Sequence, residues 1–218
     1  TAAKRILQYL RGTLDMGLTY SPDVEAAFKQ EYQEVLEMTK PEETLGDTVV
    51  FSDSDFAGCS VTLKSTSGAI IYFKGVPLAW ASKRQSIRAY STCEAEFVAA
   101  SDSIVLTERQ GYLSWLLQQS SIPKNIFVDN MSTLMVSKQV IHTKKSKHYA
   151  LRFLRVKDNK DMLAWCPTGK NRSDPLTKPL TRMAYLRMLG VEANYVSFID
   201  DFEEELDETI CLAFYCGL

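Results

Sequence analysis

The chain has 218 residues, 45% of them hydrophobic and 24% charged, a composition typical of a globular protein and unlike that of a disordered or fibrous one. Its apolar runs are too short for a membrane span and no signal-peptide pattern follows the first residues, so we expect an intracellular protein. The five cysteines are scattered and lack a C-x-x-C pair, which predicts reduced, mostly buried thiols and excludes a disulfide framework or a zinc site.

The net charge of −2 conceals a strong segregation of charge along the chain. Between Lys64 and Arg182 there are 19 Lys and Arg against 8 Asp and Glu, a local charge of +11, and the two flanks together carry −13. Such a basic block is expected where a protein contacts nucleic-acid phosphates. A lysine-rich solvated surface explains the count equally well, so charge alone leaves both interpretations open.

The N-terminal part of the chain predicts a connector with an insertion. Apolar residues at helical spacing predict a short amphipathic helix over Ala2–Leu14, and Met16–Tyr20 is a strand candidate. The acidic segment Ser21–Asp47 contains two prolines on either side of a helix-compatible stretch, Val24–Met38. We therefore expect residues 1–47 to form a connector and an acidic insertion with one helix.

Three antiparallel strands are predicted next. The run Thr48–Asp55 is apolar and β-branched and ends in acidic residues, which is typical of a buried strand whose end reaches a functional edge. The runs Ser67–Phe73 and Val76–Ser82 flank Lys74 and Gly75, a pair that indicates a β-hairpin.

A crossover helix then connects two parallel strands. A capping box at Ser91–Glu94 precedes a long helical pattern over Ala95–Gln119, and the apolar strand Asn125–Asn130 follows it. The strand, helix, strand order places Asp53 and Asp129 at the carboxyl ends of neighbouring parallel strands. Open α/β sheets build their sites at this edge.

The remaining elements are predicted to close the domain. They are helices over Met131–Val140 and Tyr149–Lys157, a last strand over Met162–Cys166, and a short or irregular helical segment that begins over Asn171–Thr177. The tryptophans lie on apolar patterns and are expected in the core: Trp80, Trp115 and Trp165.

Four acidic residues stand in four different local contexts: Asp53 and Asp129 end strands, Glu96 lies on the long helix, and Asp174 lies in the late helical segment. Hard divalent cations prefer oxygen ligands, and two of them can activate water and stabilise the leaving oxygen of a phosphodiester. Each acid taken singly is more simply explained as a solvated surface charge. Asp53 and Asp129 are the exceptions, because an unpaired charge after an apolar strand is costly.

Six short motifs follow one another in chain order: Phe51–Gly58, Lys64–Gly68, Ser91–Phe97, Val128–Asn130, Lys147–His148 and Asp174–Leu180. Together they resemble the ribonuclease H domain of copia-type (Pseudoviridae) retrotransposon polyproteins. The resemblance runs from about Thr48 to Leu189, and Ala2–Tyr20 is similar to the segment that joins the reverse transcriptase to that domain.

The resemblance implies a fold, an activity and partners. The fold is an α/β ribonuclease H-like fold over residues 48–190, with a five-stranded mixed sheet in the order 3-2-1-4-5 flanked by helices and an acidic C-terminal extension over 191–218. The activity is hydrolysis of the RNA strand of RNA·DNA hybrids with two Mg²⁺ ions, for which Mn²⁺ can substitute, leaving 3′-hydroxyl and 5′-phosphate ends. The partners are the hybrid and the reverse transcriptase domain of the same polyprotein, with no membrane. The location is the cytoplasm, with virus-like particles or the nucleus as alternatives.

The resemblance also implies roles for the four acids. Asp53 bridges both metal ions, Glu96 and Asp129 hold one side of the site, and Asp174 holds the other. Within the first strand the family's motif selects Asp53, and Asp55, which shares its strand face, is the fallback.

Helix phase separates two neighbouring acids at the start of the long helix. Glu94 and Glu96 point to different faces of that helix. The run that begins at Glu96 matches the family's Glu-led helix, so Glu94 is left to the helix cap.

Six residues are predicted to contact the nucleic acid. Because the 2′-hydroxyl distinguishes RNA from DNA, the hydroxyl side chains just before Glu96 are candidates for reading it, with a helix cap as an equal alternative. The basic residues after the fourth strand are candidates for phosphate contact, with a solvated loop as the alternative, and the histidine there is more simply a structural residue. The six are Ser91, Thr92, Lys144, Lys145, Lys147 and His148.

Two other functions stay open at this stage. A domesticated or decayed ribonuclease H-like domain could serve as a nucleic-acid-binding or assembly module. A different nuclease on the same fold, such as an integrase or resolvase, is the third hypothesis, because a fold does not determine a substrate.

Overall fold

The computed structural model describes residues 20–116, 125–138, 147–178 and 180, together with eight separate positions among the first 18 residues. For residues 112–116 and 147–149 it describes the backbone alone. The helices are α1 (Pro22–Glu37), α2 (Thr92–Leu116), α3 (Met131–Lys138) and α4 (Lys147–Asp158). The strands are β1 (Thr48–Asp55), β2 (Thr66–Phe73), β3 (Val76–Arg84), β4 (Asn125–Val128) and β5 (Leu163–Trp165). Short 3₁₀ turns lie at Lys160–Met162, Thr168–Lys170 and Asp174–Leu176.

The five strands form one mixed sheet in the order β3-β2-β1-β4-β5. β1 and β3 are both antiparallel to β2, whereas β4 is parallel to β1 and β5 is parallel to β4. At the hairpin between β2 and β3, Lys74 and Gly75 have φ values of 50° and 79°, the left-handed pair that a two-residue type I′ turn requires. The predicted strand order and the ribonuclease H-like fold are confirmed.

Alternation along β1 separates two hydrophobic clusters, one on each face of the sheet. Val50 belongs to one cluster, which also contains Phe97 of α2 and Phe153 of α4. The rings of these two phenylalanines stack with their centroids 5.4 Å apart. Val49 and Phe51 belong to the cluster on the other face. β1 is buried along its whole length and is therefore the centre of the fold.

Helix α1 covers that second face. Ser21 caps it by accepting a hydrogen bond from the Val24 backbone N–H at 3.3 Å, and Pro22 starts it. Its apolar stripe is buried, with the Tyr32 ring 4.9 Å from that of Phe51. The helix predicted within the acidic insertion thus packs into the core of the sheet, and the domain boundary between residues 47 and 48 remains a prediction.

Two sequence predictions in the first half of the chain are wrong. No strand forms at Gly17, Leu18 or Tyr20, the described positions of the predicted segment; instead the Tyr20 hydroxyl donates to the Pro77 carbonyl of the edge strand β3 at 3.3 Å. Trp80 is 51% exposed and not in the core, because β3 is covered only near its start.

Several other predictions have mixed outcomes. The described positions at 3, 4, 7, 10 and 11 are helical as predicted, and their leucines are exposed. Trp165 is partly buried, and the Trp115 side chain lies outside the described part of the chain. The described cysteines are free thiols, with Cys166 buried and the other two partly buried. Among the described helices none is long and apolar enough to cross a membrane.

Candidate active site

Asp53 and Asp129 lie side by side at one edge of the sheet. Ser52 pairs with Val128 across the parallel β1 and β4 strands, so the next residue of each strand reaches the same edge. The side chain of Asp53 is only 1% exposed, and Asp129 is partly buried. The two apolar strands therefore place both carboxylates next to each other, as the sequence predicted.

Glu96 joins this edge from the face that α2 covers. Ser54 follows Asp53 on β1 and points to the opposite face of the sheet. Its hydroxyl and its backbone N–H both donate to Glu96 Oε1, at 2.9 and 3.2 Å. The other carboxylate oxygen, Glu96 Oε2, is buried and has no hydrogen-bond partner among the described residues.

The neighbouring Glu94 is used by the helix cap. Ser91 Oγ accepts from the Glu94 backbone N–H at 3.1 Å, and the Glu94 carboxylate accepts from the Tyr90 N–H at 2.8 Å. Cap and site therefore use different acids of the same helical turn, as helix phase predicts. Asp55, the fallback on β1, accepts from the Thr66 N–H at 2.6 Å and thereby joins the ends of β1 and β2.

The three carboxylates meet closely enough to share one ion. One oxygen from each of Asp53, Glu96 and Asp129 lies within 4.8 Å of the others. Mutual repulsion and burial make this arrangement costly without a cation. The buried Glu96 Oε2 lacks a donor, and an all-oxygen set of this kind suits a hard divalent ion such as Mg²⁺ or Mn²⁺. The residues fit such an ion.

The pKa values of the acids follow from this crowding. Burial, and then the charges of Asp53 and Asp129, raise the pKa of Glu96 well above its usual range. Burial and the charge of Asp53 also raise the pKa of Asp129, although a hydrogen bond from Thr168 opposes the shift. A group whose charged form is disfavoured without a cation is expected to release its proton when a cation binds.

Asp174 lies beside Asp53 but outside the group of three. It occupies a 3₁₀ turn, not an α-helix, and is 7% exposed. Its Oδ1 is 3.0 Å from Lys178 Nζ, which is also 3.5 Å from Asp53 Oδ2. The Thr177 hydroxyl donates to the same Asp53 oxygen. Burial and the nearby Asp53 raise the pKa of the Asp174 carboxyl, and Lys178 opposes that shift.

The turn that carries Asp174 is tied to β1 and to α1. Asn171 Nδ2 donates to the Ser52 carbonyl at 2.9 Å, next to Asp53. The Arg172 guanidinium donates from Nε to the Tyr32 hydroxyl at 2.7 Å and from one terminal nitrogen to Glu31 at 3.0 Å. The Tyr32 hydroxyl in turn donates to the Lys170 carbonyl at 2.9 Å. Helix α1 therefore supports the turn from the side opposite α2.

The structure brings together some of the predicted site residues and leaves others aside. Asp53, Glu96 and Asp129 converge, and Asp174 reaches Asp53 beside Lys178. Ser91 and Thr92 are exposed at the start of α2. Lys144 and Lys145 lie outside the described residues, and for Lys147 and His148 only the helical backbone of α4 is described.

Sequence reasoning missed several residues that shape the site. Lys178 lies four residues after Asp174 within the motif Asp174–Leu180, a spacing that permits an ion pair. No local sequence pattern predicts the contacts of Ser54, Asn171 and Arg172, because their partners are 42 to 141 residues away in the chain.

Comparison with known proteins decides the family. The chain is 32% identical over 201 residues, or 87% of its length, to the Retrovirus-related Pol polyprotein from transposon RE2 of Arabidopsis thaliana. It is 30% identical over 185 residues, or 83% of its length, to the Transposon Ty1-JR1 Gag-Pol polyprotein of Saccharomyces cerevisiae. The chain is a homologue of the copia-type Pol polyproteins.

This copia-type homologue spans only a small part of those relatives, 12% of the RE2 polyprotein and 10% of the Ty1-JR1 polyprotein. No family model matches it. Among solved structures, LC11-RNase H1, isolated from compost, is 18% identical with a TM-score of 0.43, over 61% of this chain and 94% of that one. RNase H1 from Halobacterium salinarum is 12% identical with a TM-score of 0.42, over 60% and 93%.

Proposed function

We propose that this copia-type domain is a metal-dependent endonuclease that hydrolyses the RNA strand of RNA·DNA hybrids during retrotransposon reverse transcription. The observation that carries the proposal is the convergence of Asp53, Glu96 and Asp129 within 4.8 Å, with Glu96 Oε2 buried and lacking a donor among the described residues. Homology to Pol polyproteins supplies the context of reverse transcription.

The four carboxylates are proposed to hold two divalent cations, Mg²⁺ or Mn²⁺. Asp53 lies between the two sides, with Glu96 and Asp129 on one and Asp174 on the other. When bound, such ions lower the pKa of a water nucleophile and stabilise the leaving oxygen, giving 3′-hydroxyl and 5′-phosphate products.

The chain's own residues position the acids before any substrate binds. Ser54 donates two hydrogen bonds to Glu96 Oε1, which orients the carboxylate and leaves Oε2 without a donor among the described residues. Asn171 holds the turn that carries Asp174 against β1. This preorganisation lowers the cost of assembling like charges at the moment of reaction.

Hybrid recognition is proposed to use surfaces next to these acids. The exposed Ser91 and Thr92 precede Glu96 by about one helical turn, which suits contact with 2′-hydroxyl groups of the RNA strand. Lys144, Lys145, Lys147 and His148 are proposed to contact phosphates of the DNA strand. The reverse transcriptase of the same polyprotein is the proposed protein partner, and the cytoplasm the proposed location.

Cleavage of a labelled RNA·DNA hybrid by the whole chain tests the proposal. Asp53→Asn and Asp129→Asn should each abolish Mg²⁺-dependent cleavage without lowering the melting temperature of the metal-free protein, because each removes one of the repelling charges. Asp102→Asn is the matched control, since Asp102 lies on α2 outside the site and faces Arg152 at 3.9 Å. Retained cleavage in both site variants contradicts the proposal.

The same assay separates the rival functions. Hybrid binding without turnover at any Mg²⁺ or Mn²⁺ concentration would instead assign a nucleic-acid-binding or assembly module. Cleavage of duplex DNA in preference to the hybrid would point to another nuclease on this fold.

A further inference from the structure

One side chain of the protein already occupies the space between Asp53 and Asp174. Lys178 Nζ lies 3.0 Å from Asp174 Oδ1 and 3.5 Å from Asp53 Oδ2. The side chains of Asp174 and Asp53 are 9% and 1% exposed, whereas the side chain of Lys178 is 38% exposed. The ammonium therefore reaches inward from the rim of the site to two buried acids.

A second donor of the same short segment also approaches Asp53. The Thr177 hydroxyl donates to the same oxygen of Asp53 that the ammonium approaches. The Thr177 hydroxyl thus donates to an oxygen that a cation would otherwise take, and the Lys178 ammonium lies 3.5 Å from the same oxygen.

The two sides of the site differ in whether a cationic side chain already lies among their carboxylates. The group of Asp53, Glu96 and Asp129 includes the buried Glu96 Oε2, which has no hydrogen-bond partner among the described residues. The Asp53 and Asp174 side has an ammonium between its carboxylates. A Mg²⁺ ion needs its ligand oxygens at about 2.0–2.1 Å, so it cannot share those two oxygens with an ammonium in the present position.

We propose that Lys178 is an internal counter-ion shared by Asp53 and Asp174 in the metal-free protein and that it must be displaced before a divalent cation binds between them. The inference rests on the proposed function for the assignment of this second cation position. Its consequence is an order of binding: the three-carboxylate side fills at low cation concentration, and the Lys178 side fills only at a higher one. Lys178 thereby sets the cation concentration at which the site is complete.

Mn²⁺ binding to the whole 218-residue chain, measured by calorimetry without nucleic acid, tests this inference. The wild type should bind in two steps of different affinity. Lys178→Met keeps the aliphatic stem and removes the charge, so the weaker step should tighten roughly tenfold, as expected when a competing charge-assisted hydrogen bond is lost. Lys178→Gln, which keeps a donor but not the charge, should show the same direction.

The matched controls preserve charge or remove it elsewhere. Lys178→Arg should keep both binding steps close to those of the wild type. Lys170→Met removes a lysine of equal exposure that faces Glu31 at 3.8 Å, and it should leave Mn²⁺ affinity unchanged.

The Mn²⁺ dependence of the melting-temperature difference is a readout that a merely structural lysine would not move. In chelator, Lys178→Met should melt below the wild type, because two buried carboxylates lose their counter-ion. In saturating Mn²⁺ the difference should disappear, since the cation replaces the ammonium. A deficit of equal size with and without Mn²⁺ overturns the inference.

The binding results distinguish the inference from the proposed function. If both uncharged variants bind Mn²⁺ as the wild type does, or more weakly, while the wild type cleaves the hybrid, then the counter-ion role is wrong and the nuclease stands. If the wild type binds no Mn²⁺ at all, both are overturned.

Discussion

Ser54 donates twice to the same oxygen of Glu96, once from its hydroxyl at 2.9 Å and once from its backbone N–H at 3.2 Å. The pair joins the central strand to the crossover helix, 42 residues apart in the chain. It turns Glu96 so that Oε2 alone remains for a ligand. One serine therefore couples the packing of α2 on the sheet to the geometry of the acidic site.

Replacing Ser54 should weaken the site more than the fold. Ser54→Ala removes one hydrogen bond to a carboxylate and should cost about 1–2 kcal/mol of stability. It should also raise the Mn²⁺ concentration for half-maximal hybrid cleavage. Ser103→Ala is the matched control, because the Ser103 hydroxyl donates at 2.9 Å to a carbonyl within α2 and is remote from the acids. Equal cation requirements in the two variants would contradict a positioning role for Ser54.

The metal-free protein should lose stability as the pH rises. Burial and neighbouring charges raise the pKa values of Glu96, Asp129 and Asp174 in the folded state. Unfolded Asp and Glu titrate near pH 4, so the folded state holds these protons more tightly. The resulting stabilisation is fully present below about pH 4 and is lost as the pH rises through the raised folded-state values.

Denaturation at several pH values in the presence of a chelator measures how the free energy of unfolding changes with pH. Glu96→Gln should flatten this dependence relative to the wild type, and Glu108→Gln, an exposed residue of the same helix, is the control. Saturating Mg²⁺ should reverse the trend, because the cation favours the ionised carboxylates. A wild-type slope that Glu96→Gln leaves unchanged would exclude Glu96 as its source.

The buried Arg172 should stabilise the turn that carries Asp174. Its guanidinium lies among the rings of Phe28, Tyr32 and Tyr72, at 5.4 to 5.8 Å from their centroids. Arg172→Met removes these contacts and the hydrogen bond to the Tyr32 hydroxyl, and should cost about 1–3 kcal/mol in urea denaturation. Glu31→Gln should cost less than about 1 kcal/mol, since that carboxylate is 37% exposed. Equal losses of stability in the two variants would mean that the ion pair with Glu31, and not the contacts with the buried aromatic rings, accounts for the stabilisation by Arg172.

Helix α1 should be required for folding of the domain. A chain that starts at Ser21 keeps the helix, its cap and its buried side chains, and should retain a cooperative unfolding transition. A chain that starts at Thr48 exposes the face that contains Phe51 and Phe127 and should aggregate or bind a hydrophobic dye. Limited proteolysis and calorimetry of the two truncations compare them directly. A stable chain from Thr48 would instead support the predicted boundary between residues 47 and 48.

Local patterns in the sequence placed Asp53 beside Asp129 and separated Glu96 from Glu94, whereas the resemblance to a family supplied the full strand order and the choice of Asp53 over Asp55. Two apolar strands that end in acids, separated by one long helix, require a parallel crossover that brings Asp53 and Asp129 together. Helix phase separated Glu96 from Glu94, because 3.6 residues per turn direct them to different faces. These inferences succeeded because each depends on residues close in sequence or on a rule of chain connection.

Only the tertiary structure decided what surrounds those acids. The pairing of Ser54 with Glu96, the position of Lys178 between Asp53 and Asp174, and the packing of α1 under Arg172 all depend on how distant elements pack. The acidic composition of residues 21–47 gave no indication that its helix enters the core. Periodicity reports which face of an element is apolar, whereas partners more than 100 residues apart are chosen by shape and charge once the faces have met.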